Sequence, residues 1–246
     1  MHTYQCVYEH AIVRRVHYCR RVLESVALFN SLTDNERALL EARCRSLRVP
    51  NGAFLYHEGQ PGDALYVLRR GRIGIWGGGE RGEPVLLNVM GTGQMFGELA
   101  LLSGQHLRTA SVQALSRVEA IQILRSDIEA LRATHPGINN VFIQVLLGHV
   151  QRLSTQVAEM AELDAPTRIY RQIIRLGAIF DAGRNGGELP INQHQLASLT
   201  GVGLRITNKV LAQARTDGLL LTERGRLVIS DWATVRRRAG WRFRAV

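Results

Sequence analysis

Between Phe96 and Ser111 the chain reads Phe96-Gly97-Glu98-Leu99-Ala100-Leu101-Leu102, then a short loop, Ser103-Gly104-Gln105-His106-Leu107, then Arg108-Thr109-Ala110-Ser111. These residue types can hold a small phosphate ester of a sugar. A guanidinium such as Arg108 meets a singly charged phosphodiester with a charge-assisted fork of donors. The N-terminus of a short helix over 97–101 adds backbone N–H donors, and Gly97 lets the backbone approach closely. A carboxylate such as Glu98 accepts a hydrogen bond from a sugar hydroxyl, as acidic residues do in dinucleotide folds. Taken singly, Glu98 also reads as a surface acid and Arg108 as a solvated loop charge.

The elements around this string follow from turn signals and periodicity. Residues 1–24 read as an extension of unreadable role, with the pairs Arg14-Arg15 and Arg20-Arg21. A first domain spans 25–134. It opens with a helix whose N-cap is Thr33 and whose capping box is closed by Glu36, running to about Ser46. Short β-type runs follow over 64–68, 72–76, 85–89 and 118–123, split by glycine-rich turns, which argues for an antiparallel barrel or roll. A long helix spans 135–163, with Pro136 at its first turn. Phe142, Leu146, Val150, Leu153, Val157 and Met160 recur at steps of three and four along it, and this stripe suits a twin helix, hence a homodimer.

Asp164-Ala165-Pro166 caps the next helix and opens a domain over 164–246. There, Ile191 to Gly203, with Gly201 permitting the turn, followed by Leu204 to Leu211, reads as helix, tight turn, helix. Leu196, Ala197 and Leu199 form the inner face of the first helix; Ile206, Val210 and Leu211 seat the second. A hairpin over 218–229 has the basic turn Arg224-Gly225-Arg226, and a tail carries Arg236-Arg237-Arg238.

Charge is uneven. The chain has net charge +10, and residues 161–246 hold 14 basic and 7 acidic side chains against 17 and 14 in residues 1–160. A surplus on the last third suits a polyanion partner, although a solvated basic surface accounts for charge alone equally well. A composition 46% hydrophobic supports packed cores. No apolar run is long enough to span a membrane and no secretion signal opens the chain, so a cytoplasmic protein without a membrane partner is expected. Cys6, Cys19 and Cys44 are too few and too dispersed for a disulfide framework or zinc site, and the cluster of His2, Cys6, His10, His17 and Cys19 matches no ligand spacing. Neither a metal nor a cofactor is expected, and no catalytic constellation appears.

As a whole, the 96–111 string resembles the phosphate-binding cassette of cyclic-nucleotide-binding domains, F-G-E-[LI]-A-L-[LI] followed by a variable loop and R-[TSA]-[AST]. The 191–229 segment resembles the winged helix-turn-helix of the Crp/Fnr regulators. The resemblance implies an α+β protein: a β-roll (jelly-roll) cyclic-nucleotide-binding domain, a long dimerisation helix and a C-terminal winged helix-turn-helix domain. It implies a ligand site of Gly97, Glu98, Leu99, Ala100, Arg108, Thr109 and Ala110, with Glu98 on the ribose 2′-hydroxyl and Arg108 on the cyclic phosphate.

Two base-contacting positions of the catabolite-activator branch, usually Thr-Ser, align with Leu153 and Ser154. The serine is present and the threonine is replaced; Thr155 stands next to them. Thr109 is the residue type used beside the arginine by domains preferring cyclic GMP. Cyclic AMP is the expected allosteric ligand, and cyclic GMP the alternative. DNA contacts are expected from Gln193, Gly203, Leu204, Arg205, Asn208, Lys209, Arg224 and Arg226. Arg205, Asn208 and Lys209 suit base edges, and Gln193, Arg224 and Arg226 suit phosphate. Gly203, Leu204 and Arg205 depart from the family's usual Ser-Arg-Glu. The expectation is a homodimeric transcription regulator whose partners are double-stranded DNA, a cyclic nucleotide and RNA polymerase. Alternatives are a redox- or gas-sensing member, a ligand-independent one, and a nucleotide-binding protein whose last domain contacts a protein.

Overall fold

The computed structural model describes residues 32–79, 83–183 and 187–240. The 1–24 extension, with its arginine pairs and its His/Cys cluster, lies outside the described residues, as does the tail from residue 241. The chain divides into two compact units, one of residues 1–84 and 90–152, the other of 153–246 with the segment 85–89.

The first unit opens with helix α1, Asp34–Arg43, and its capping box forms: the Thr33 hydroxyl accepts from the Glu36 backbone N–H and the Glu36 carboxylate accepts from that of Thr33. α1 stops short of Ser46 because Cys44 is extended and the chain is claimed by strand β1, Arg45–Val49, which pairs antiparallel with β8, Val118–Leu124. The other strands are β2, Phe54–Tyr56; β3, Ala64–Arg70; β4, Ile73–Gly78; β5, Pro84–Met90; β6, Met95–Phe96; and β7, Ser111–Ala114. They form two four-stranded sheets of order β1-β8-β3-β6 and β2-β7-β4-β5. The fold is α+β, with an antiparallel β-roll as the sequence implies.

Both faces of β3 are buried, and the two-residue period of a strand sends its side chains to different cores. Ala64, Tyr66 and Leu68 join Val112, Ala114 and Ile73 of the other sheet. Leu65 and Val67 join Leu40 of α1, Ile128 and Leu131 of α3 (Arg125–Thr134), and Ile138, Val141 and Val145 of α4 (Gly137–Glu162). The register agrees, since Leu65 faces Ile123 and Val67 faces Ile121 across the β3–β8 ladder. Pro136 immediately precedes α4.

The expected stripe on α4 changes at its first two members only, and Val150, Leu153, Val157 and Met160 are exposed. Phe142 is buried and Leu146 half-buried, so they belong to the inward face. The exposed apolar residues are Ile143, Leu147, Val150, Leu153, Val157 and Met160. Both stripes have helical spacing; the roll's need to cover Leu65 and Val67 selects which one turns inward.

In the second unit, α5 (Ala165–Ile179) is capped by Asp164, whose carboxylate accepts from the Thr167 N–H at 2.9 Å. After β9 (Glu188–Leu189) come α6 (Gln193–Thr200), α7 (Leu204–Thr216), the hairpin β10 (Leu220–Glu223) and β11 (Arg226–Ile229), and α8 (Trp232–Arg238). The sheet order is β10-β11-β9. Gly201 takes φ 61°, the left-handed turn that joins α6 to α7. Leu196, Ala197 and Leu199 are buried as expected, but α7 is seated by Thr207, Leu211 and Ala214. Ile206 is exposed and Val210 only half-buried. A buried threonine suits this place because its hydroxyl donates to the Val202 and Gly203 carbonyls at 3.4 and 3.3 Å.

Part of the expected basic tail is α8. Asp231 caps it, Val235 is fully buried, and Arg238 donates to the Tyr170 hydroxyl at 3.0 Å and pairs with Asp217 at 2.6 Å. The Trp232 indole fills the space where a Cβ on Gly177 would stand, 2.4 Å away. Gly177→Ala is therefore expected to destabilise this unit by about 1–3 kcal/mol, overpacking outweighing the helix-propensity gain. Urea unfolding followed by tryptophan fluorescence checks this; an unchanged midpoint would contradict the packing.

Candidate functional site

α2, Glu98–Leu102, starts at Gly97, whose φ of 82° is left-handed. A Cβ there would also meet the Arg108 Nη1 at 2.8 Å, so the position demands glycine twice over. Arg108 is brought to α2 by pairing of its loop with the 59–62 turn: Gly59 N–H donates to the Arg108 carbonyl, and Arg108 N–H to that of Gln60, both at 2.8 Å. Its guanidinium is 3% exposed. Nη1 donates to the carbonyls of Ala64 at 2.8 Å and Gly97 at 3.0 Å, and Nη2 stands 3.9 Å from Asp63. The cation lies 4.1 Å from the Tyr56 ring centre and 5.5 Å from that of Tyr66. The buried Nε has no hydrogen-bond partner.

Glu98 is 2% exposed. Its Oε2 is buried without a partner, and Oε1 has a ring nitrogen, His149 Nδ1, at 3.5 Å. Burial pushes its carboxyl up to about 7, and its own backbone N–H and then the Arg108 charge pull it back only in part. Burial, then the Arg152 charge, lowers the His149 imidazole below its ordinary value. A buried acid and a buried cation thus face one place with polar atoms unsatisfied, which marks a site for a polar ligand. An anion suits Arg108 and a hydroxyl donor suits Glu98.

The remaining expected pocket residues are disposed differently. Ala100 is buried, Leu99 and Thr109 are exposed, and Ala110 is half-buried. Leu153 and Ser154 belong to the second unit and are exposed, Leu153 to 51%. Neither is among the groups that touch Glu98 or Arg108. Sequence reasoning missed Tyr56 and Tyr66, which no motif marks, and His149. For His149 a signal exists, because Val141, Val145 and His149 recur every four residues on the inward face of α4.

In the second unit, Arg205, Asn208 and Lys209 lie at i, i+3 and i+4 on α7 and are all exposed, with Gly203 exposed and Leu204 half-buried just before them. Arg224 is exposed at the hairpin turn. Arg226 departs from the phosphate role expected of it, since it pairs with Glu188 at 3.0 Å and Glu223 at 2.5 Å, which offset its charge. Gln193 lines a cleft of about 370 Å³ with Asn192, Thr222 and Glu223, between the start of α6 and the hairpin.

One unit is thus a β-roll that buries Glu98 and Arg108 with polar atoms unsatisfied, and the other has the element order of a winged helix-turn-helix. Comparison with known proteins agrees. Residues 46–135 match the model of the cyclic nucleotide-binding domain. A CRP-like cAMP-activated global transcriptional regulator of Mycobacterium tuberculosis is 28% identical over 222 residues, covering 89% of this chain and 98% of that protein. A putative Crp/Fnr-family regulator from Eubacterium rectale has a similar structure, with TM-score 0.70 at 15% identity over 87% of this chain and 98% of that one. The c-di-GMP-responsive regulator CLP of Xanthomonas campestris gives 0.66 at 21% identity over 81% and 100%. The chain is thus similar, over 89% of its length, to a Crp-like transcriptional regulator, with the cyclic nucleotide-binding domain match confined to residues 46–135.

The raised Glu98 pKa carries a stability consequence. The folded, unliganded protein holds this proton to about pH 7, while an ordinary carboxyl loses it near 4.5. The group's contribution is therefore fully present below about 4.5 and lost as pH rises through 7. At pH 8 the buried charge costs on the order of 3 kcal/mol. Glu98→Gln is expected to raise the urea midpoint at pH 8, and to do so much less at pH 5.5. An equal effect at both values would show that the carboxyl is not desolvated.

Proposed function

We propose that this regulator is switched by cyclic AMP, binds double-stranded DNA as a homodimer and recruits or contacts RNA polymerase from its DNA site. The observation that carries the ligand reading is the pair of unpartnered buried atoms, Glu98 Oε2 and Arg108 Nε, beside a glycine with left-handed backbone. A cyclic ribose phosphate supplies what each lacks: a ribose hydroxyl to donate to the carboxylate, and phosphate oxygens to accept from the guanidinium edge. The name of the Mycobacterium tuberculosis relative favours cyclic AMP.

The homodimer reading is supported by the exposed stripe from Ile143 to Met160, whose spacing of three and four residues suits a paired helix. Ligand on Glu98 and Arg108 favours one arrangement of the paired helices, which repositions the DNA-binding domains to match two half-sites. Arg205, Asn208 and Lys209 then meet base edges, and Gln193 and Arg224 meet phosphate. A second reading, cyclic GMP, is favoured by Thr109 beside the arginine and by Leu153 in the place of a threonine. The Xanthomonas campestris neighbour makes c-di-GMP a third ligand to include.

Calorimetry with the three nucleotides separates these readings. Cyclic AMP is expected to bind tightest, and Arg108→Ala to weaken it at least a hundredfold by removing the buried cation that meets the phosphate. No binding of any of the three, or unchanged binding by the variant, contradicts the ligand reading. For DNA, Lys209→Ala is expected to reduce affinity about tenfold for a site selected from random duplexes. Failure to enrich any sequence, with ligand or without, would favour a protein partner instead.

A further inference from the structure

His149 occupies the third rung of the inward stripe of α4. The first two rungs, Val141 and Val145, are buried in the same apolar cluster as Leu101 of α2. One further rung, about 6 Å along the helix, carries the imidazole from that cluster to the first residue of α2. There its Nδ1 stands 3.5 Å from Glu98 Oε1, with the ring's side chain 29% exposed. That separation exceeds a working N–H···O bond of roughly 2.7–3.2 Å, so the contact is poised and not made. The other oxygen, Oε2, is buried with no partner. A carboxylate with two oxygens to satisfy thus has one protein donor in waiting and one side left for a ligand.

We propose that His149 is a positioning residue of the ligand site: its Nδ1–H closes onto Glu98 Oε1 as a ligand hydroxyl docks on Oε2, fixing Glu98 as a carboxylate turned to the sugar. The proposal rests on the cyclic-nucleotide reading above. The charged groups around the pair suit a neutral imidazole in this role. Arg108, with Asp63 at 3.9 Å, is the cation acting on Glu98, and burial, with the Arg152 charge second, holds His149 below its ordinary protonation range. His106 is occupied elsewhere, its Nδ1 3.2 Å from the Ala100 carbonyl. A neutral donor stabilises the carboxylate without adding a second cation to a pocket that faces one phosphate charge. It also makes the pH at which ligand is lost depend on His149.

The test is calorimetry on the full chain with cyclic AMP and cyclic GMP as probes, from pH 6 to 9, for wild type, His149→Ala and His149→Gln. Wild-type affinity is expected to fall on the acid side of a midpoint near neutrality, as Glu98 takes up a proton. His149→Ala is expected to weaken binding about tenfold at pH 7 and to move the midpoint up by about one pH unit, with affinity largely recovered at pH 9. His149→Gln keeps an amide donor and is expected to restore most of the affinity and the midpoint. A His149→Ala profile with an unmoved midpoint overturns the proposal, even if affinity drops equally at every pH, because packing alone does that. Absence of wild-type binding to either probe at every pH removes the nucleotide reading itself, and the proposal with it.

Discussion

A carboxyl and a guanidinium taken out of water, each with an atom left unpartnered, are the constraint around which the first unit is arranged. Burying such groups costs free energy unless a partner restores the lost hydration. Arg108 is partly compensated by the Ala64 and Gly97 carbonyls and by the Tyr56 and Tyr66 rings. Glu98 is compensated too little by its own backbone N–H and the Arg108 charge, and holds its proton to about pH 7. The strand pairing that hides Arg108, the left-handed Gly97 that starts α2 and the inward stripe of α4 all serve to keep this pair desolvated. A site built in this way is less stable empty than it need be, and that deficit strengthens the response to a ligand that fills it.

The second unit follows a different logic. Its core residues, among them Ile169, Ile173, Leu176 and Leu196, are fully buried and apolar, while exposed cations stand on α7, at the hairpin turn and on α8. Not every arginine there is available to an anion. Arg226 is held by two glutamates and Arg238 by Asp217, so the number of basic side chains in this region overstates the cations open to an anionic partner. Glu159, on the last turns of α4, pairs with Arg171 and Arg175 of α5 and withdraws two more.

Much of this was legible in the sequence because it is local. The capping box of Thr33 and Glu36, the glycine-split strands, the Asp164 cap, the Gly201 turn and the 96–111 string each lie within a window of a few residues. What was not legible depends on partners distant in the chain. The Ala64 carbonyl that holds Arg108 lies 44 residues away, and only the folded roll joins them. Only the first two members of the expected α4 stripe, Phe142 and Leu146, turn inward, because two stripes share the helical period there and the sheet's Leu65 and Val67 decide between them. The arginine-rich end was taken for a tail because its anchor, the Trp232 ring against Gly177, is a contact between separate helices.

The central claim is that a cyclic nucleotide completes the Glu98–Arg108 pair, and the proton balance of binding tests it most directly. Calorimetric titration of cyclic AMP at pH 7, repeated in buffers of different ionisation enthalpy, counts the protons exchanged. With Glu98 near half-protonated when empty and a carboxylate when bound, the account predicts release of about half a proton, abolished by Glu98→Gln. Saturable binding with no proton exchanged, or the same release from the glutamine variant, would contradict it.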